Sequence, residues 1–72
     1  MKNNFAVDVF NVPNMHCEHC VKTIKTSLKK IKEIKRTTFD LENKLVIVTL
    51  KQNIDPKILI NAINEAGFEV KQ

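Results

Sequence analysis

The chain has 72 residues, 28% of them charged, with a formal net charge of +4 and a single glycine. That length allows one domain, expected to fill residues 1–72, with a core that supplies only about 3–5 kcal/mol by itself. The composition excludes a disordered linker, and no run of about 18 apolar residues is present to cross a membrane. The opening Met1-Lys2-Asn3-Asn4, followed by Phe5-Ala6-Val7 and then Asp8, is too short and interrupted for a secretory signal. A cytoplasmic location, where paired thiols stay reduced, is the expectation.

Phe5 to Val12 reads as a strand, with its register open because Asp8 shares one alternation with Phe10 and Val12. Pro13-Asn14 stops it. From Glu18 to about Ile31 the apolar residues Cys20/Val21, Ile24, Leu28 and Ile31 recur at helical spacing. Ile34 to Leu41 is a second strand, with Thr37, Thr38 and Phe39 favouring extended backbone. Glu42-Asn43-Lys44 is the turn of a hairpin, Asn43 being suited to positive φ. Leu45 to Lys51 is the third strand, with Thr49 outward and Val46, Val48 and Leu50 toward the core. Asp55-Pro56 starts a second helix as N-cap and first-turn proline. Ile58, Leu59, Ala62, Ile63 and Ala66 form its apolar stripe, and Gly67 closes it. Phe68-Glu69-Val70 reads as a short last strand. The order β-α-β-β-α-β predicts an α+β, ferredoxin-like fold, four antiparallel strands with both helices on one face. That topology brings Phe68 near the loop after the first strand.

Both cysteines lie in that loop, in the run Asn14-Met15-His16-Cys17-Glu18-His19-Cys20. Residues i and i+3 share a helix face, and a helix N-terminus with nearby lysines favours thiolate over thiol. Thiolate binds soft metals, so the run is a metal or redox site. A thiol-disulfide oxidoreductase also uses Cys-x-x-Cys at a helix start, but the element order differs from a thioredoxin-like fold. A closed structural zinc site needs four ligands, where the run offers two cysteines beside two crowded histidines. No Ser/His/Asp set, Gly-rich phosphate loop or paired acids points to an enzyme.

The run, the Ala66-Gly67-Phe68 ending and the order of elements together resemble the heavy-metal-associated domain family over essentially the whole chain. That family includes small cytosolic copper chaperones and N-terminal domains of metal-exporting P-type ATPases. Its motif is Gly-Met-x-Cys-x-x-Cys. The resemblance implies that Cys17 and Cys20 are the metal ligands, that Met15 tucks into the core and shapes the loop, and that Phe68 packs beside the site. Asn14 stands where the family usually has Gly, a tolerable change because Asn visits the left-handed region. Phe68 is more typical of the ATPase domains.

The expected function is a cytoplasmic metallochaperone that binds Cu(I) through two thiolates and passes it to a metal-transporting P-type ATPase or a metal-responsive repressor. The alternative is one N-terminal domain of such an ATPase. Ligand softness selects Cu(I); Zn(II) or another divalent ion is the second choice, since imidazole from His16 or His19 suits it. Two thiolates already satisfy Cu(I), which favours both histidines as exposed residues with no ligand role. The protein is expected to be monomeric without metal, with a metal-bridged dimer at high concentration.

Charge is unevenly spread: residues 1–36 hold eight Lys/Arg against three acids, and residues 37–72 four Lys against five acids. Lys22, Lys25 and Lys29 lie off the first helix's apolar stripe and suit an acidic partner. The plainer reading is a solvated face. Nucleic acid is not an expected partner, as Trp and Tyr are absent and arginines do not cluster.

Overall fold

A computed structural model describes residues 6–71. The expected first strand began at Phe5, which lies outside the described residues along with residues 1–4 and 72. Five elements follow in order: β1 (Ala6–Asn11), α1 (Glu18–Leu28), β2 (Ile34–Asp40), β3 (Leu45–Leu50) and α2 (Pro56–Glu65). β3 is central, pairing antiparallel with β1 on one side and β2 on the other. The result is an α+β fold with two helices and, among the described residues, three strands rather than four.

The missing strand has a hydrogen-bonding cause. The Phe68 N–H donates to the Ile63 carbonyl at 3.3 Å, closing the end of α2. The Glu69 N–H donates to Asn14 Oδ1 at 3.4 Å. Among the described residues this segment makes one bridge to β1, where the Lys71 N–H meets the Asn11 carbonyl at 2.8 Å. In that register the next hydrogen-bonded pair would set Glu69 opposite Pro13, which has no N–H to return, and the Glu69 N–H turns to Asn14 instead.

Period-two alternation in β3 sends Val46, Val48 and Leu50 into the core, each at most 1% exposed. Thr49 lies on the opposite face, as expected. Both helices bury their stripes on the same side, since Ile24 and Leu28 of α1 and Leu59, Ala62 and Ile63 of α2 join the same cluster. The Ser27 hydroxyl donates to the Ala62 carbonyl at 2.6 Å and ties the helices together. In β1 the open register resolves with Phe10 buried and Asp8 partly buried on the core side, while Val7 and Val9 face outward at 58% and 56% exposure.

Four local expectations are corrected. α1 ends at Leu28 rather than Ile31; the Ile31 N–H turns back to the Leu28 carbonyl at 3.0 Å, and Ile31 still packs on the core. Ile58 is 47% exposed instead of joining the stripe, because it sits about 100° around the helix from Leu59. Lys44, not Asn43, takes positive φ, at 61°. Asn43 is held instead by Asp40, whose carboxylate accepts from the Asn43 backbone at 3.1 Å and from its side-chain amide at 2.9 Å. The strand edges at Val12, Leu41 and Lys51 shorten by one residue each.

Candidate metal centre

Met15 fixes the loop between β1 and α1. Its side chain is fully buried in the core, and its N–H donates to the Val12 carbonyl at 3.1 Å. An adaptable thioether fills the irregular gap under the loop. This anchor sits directly before two exposed positions, His16 and Cys17. Cys17 is the N-cap of α1, with extended backbone (φ −149°, ψ 173°), and its side chain makes no capping bond. Its carbonyl accepts the first helical bond, from Val21 at 3.2 Å. Cys20 lies in the first turn, half-buried against the core.

The two sulfurs lie 3.5 Å apart and share a hydrogen bond; both thiols are free. The Cys20 thiol is held below its ordinary pKa by the backbone of His16, then by the backbone and thiol of Cys17, against a smaller opposing effect of burial. These are hydrogen bonds to the charged form, which favour it. The site therefore holds a sulfur predisposed to ionise beside an exposed sulfur at the helix N-cap. Metal–thiolate bonds of about 2.3 Å, the length zinc makes, would span about 4.6 Å if collinear. The pair must then open by about 1 Å to admit a two-coordinate ion, and Cys17, exposed at the loop end, is the sulfur with room to move.

His16 and His19 are both exposed. Among the described residues, no group of three or more His, Cys, Asp and Glu gathers to hold a metal ion, so neither imidazole converges on the sulfurs. Phe68 is half-buried and packs against the core. Its neighbour Glu69 meets Asn14 through the bond described above, which brings this segment against the cysteine loop. Asn14 is the contributor that the motif alone did not reveal. Its side chain reaches across 55 positions of sequence, whereas the sequence marked it only as a stand-in for Gly. Lys22, Lys25 and Lys29 are exposed along α1. Among the described residues, no helix is long and apolar enough to cross a membrane.

The heavy-metal-associated domain model matches residues 9–69. Among solved structures, the CopZ metallochaperone is similar with a TM-score of 0.84 at 25% identity, over 92% of this chain and 100% of that one. The copper chaperone Atx1 from Synechocystis PCC6803 is similar with a TM-score of 0.74 at 26% identity, over 89% of this chain and 98% of that one. The yeast copper transporter domain Ccc2a, solved in apo and Cu(I)-loaded states, shares the fold with a TM-score of 0.79 at 22% identity, over 92% of this chain and 94% of that one. Among curated proteins none matches. With the matched segment running from β1 past α2 and enclosing the whole cysteine loop, the chain belongs to the heavy-metal-associated domain family.

Proposed function

We propose that this chain is a single metallochaperone domain that holds Cu(I) between Cys17 and Cys20 and hands it to a partner by thiolate exchange. The observation that carries this reading is the sulfur pair, 3.5 Å apart on an exposed loop whose next residue inward, Met15, is locked in the core. Soft thiolates select a soft monovalent ion, and two of them leave open coordination positions. An incoming partner thiol loses its proton and its sulfur bonds to the metal, giving a three-sulfur intermediate. Cys17 departs first and takes up a proton, because it is the exposed sulfur; a second partner thiol then gives up its proton, bonds to the metal and displaces Cys20, which is protonated in turn. The metal is never free.

The partner in this reading is a metal-transporting P-type ATPase or a metal-responsive repressor in the cytoplasm. Support comes from the likeness to a metallochaperone and a copper chaperone at 25% and 26% identity. The same exchange serves equally if the domain is the N-terminal part of such an ATPase. Cys20's lowered pKa supports loading near neutral pH, because the ligand must shed its proton.

The test is a competition titration of reduced protein against bicinchoninate for Cu(I), beside a parallel Zn(II) titration. Cu(I) is retained far more tightly than Zn(II), and the Cys17→Ser/Cys20→Ser variant retains neither. Cys17→Ser alone stops transfer to an acceptor domain. Stripping of Cu(I) from the unaltered protein by a modest chelator would falsify the reading.

A further inference from the structure

A second feature lies at the other end of α1. A groove of 310 Å³ runs between the last turn of α1 and the start of β2. Ile31 and Ile34 line it with apolar surface above the buried Leu28, and Lys25, Lys29, Lys35 and Arg36 stand around it. Among the described residues no acidic one lines it. Lys25 and Lys29 alone would be explained as cations complementing the C-terminal end of the helix dipole. Lys35 and Arg36 belong to β2 rather than to the helix, and Arg36 is a cation that the dipole does not account for.

The strand is built to deliver them. Successive residues of a regular strand point to opposite faces, yet Ile34, Lys35, Arg36 and Thr37 all line this one groove. The cause is an irregularity in the ladder: Ile34 pairs with Leu50 and Arg36 with Thr49, leaving Lys35 as the extra residue of a bulge. Bulges re-aim side chains, and they recur at sheet edges and beside functional sites. β2 is an edge strand of the sheet among the described residues. Like charges gathered round one concavity repel each other, and an anionic occupant relieves that repulsion.

We propose that this groove is a docking site for an acidic segment of a partner protein that seats one apolar side chain between its carboxylates. The apolar lining favours such a segment over free phosphate, which would gain nothing from Ile31 and Ile34. Among the described residues no aromatic side chain lines it, which disfavours stacked nucleic-acid bases. The 11 residues of α1 rise about 16 Å, so a partner held here leaves the thiols uncovered. The site is independent of the metal reading and is present equally in a protein without its thiols.

The experiment is an NMR titration of the full chain, and of its Cys17→Ser/Cys20→Ser variant, with a short synthetic peptide in which glutamates flank one leucine. Saturable shifts are expected at residues 25–37 in both proteins, weakening as salt is raised. Exchanging the peptide leucine for serine weakens binding about tenfold, as loss of one buried aliphatic side chain requires. Lys25→Glu/Arg36→Glu, at two exposed positions, weakens it by at least about tenfold. The proposal is overturned by an absence of saturable shifts, or by equal affinity for the leucine and serine peptides. It is also overturned if inorganic phosphate or phosphatidylglycerol vesicles shift the same residues while the peptide does not.

Discussion

The two helices of this fold begin in different ways. α2 starts on Asp55, whose carboxylate accepts from the Lys57 N–H at 3.0 Å, with Pro56 in the first turn. Both residues are favoured at those positions, and the cap satisfies a donor that the helix itself cannot. α1 starts on Cys17, which makes no capping bond with its side chain. Its sulfur is turned to Cys20 instead. One helix entrance is optimised for stability, and the other gives the capping position to a reactive group. The domain tolerates this because α1 is held by tertiary burial of Ile24 and Leu28, which outweighs cap energetics in a short helix.

The contrast is sharpened most by removing the anchor beneath the weaker entrance. Met15→Ala should cost about 2–5 kcal/mol, since Met15 is fully buried. Against a total of about 4–11 kcal/mol for 72 residues, that is a large share, read as a lowered denaturant midpoint in urea melts. A cost near zero would mean that the loop is not seated on the core. Next in size is the exchange of caps. Asp55→Ala should lose about 1 kcal/mol, while Cys17→Asp should gain about 0.5–1 kcal/mol in the metal-free protein and lose metal retention. Opposite signs in the same melts support the contrast; a destabilised Cys17→Asp protein breaks it.

The smallest effect concerns acid. Asp40 has a pKa held below the ordinary carboxylate value, first by the Asn43 side chain and then by the Asn43 backbone. A depressed folded pKa contributes stability above the unfolded value, about 3.9, and that contribution is lost as pH falls through the lower folded value. Asp40→Asn should therefore be less stable than the parent at neutral pH, with the gap closing in strong acid. A gap that widens on acidification would contradict the sign.

Much of this was legible in the sequence because it rests on local chemistry. The alternation Val46, Val48, Leu50 against Thr49 fixes which face of β3 is buried, and Asp55-Pro56 marks a helix start wherever it occurs. The cysteine run is legible for the same reason, since its spacing and its place before a helical stripe are both local. The misreadings arose where long-range contacts compete. Phe68 to Val70 has strand-like composition, but Pro13 stands opposite it with no N–H to give, and the Glu69 N–H turns to Asn14. Asn43 is a good candidate for positive φ, but Asp40 captures it, and the turn passes the strain to Lys44. Ile58 is apolar and at the stripe's margin, and composition alone cannot say on which side of the margin it falls. The groove beside β2 depends on a bulge, which no periodicity announces.

The bond from the Glu69 amide to the Asn14 side chain joins residues 55 positions apart. Closing a contact across so long a stretch costs more chain entropy than closing a local one, and such contacts slow folding. During synthesis the cysteines emerge well before Glu69 does, so the loop first appears without its clasp. The clasp over the cysteine loop is a contact whose closure costs the chain more entropy than the local bonds that shape the loop itself.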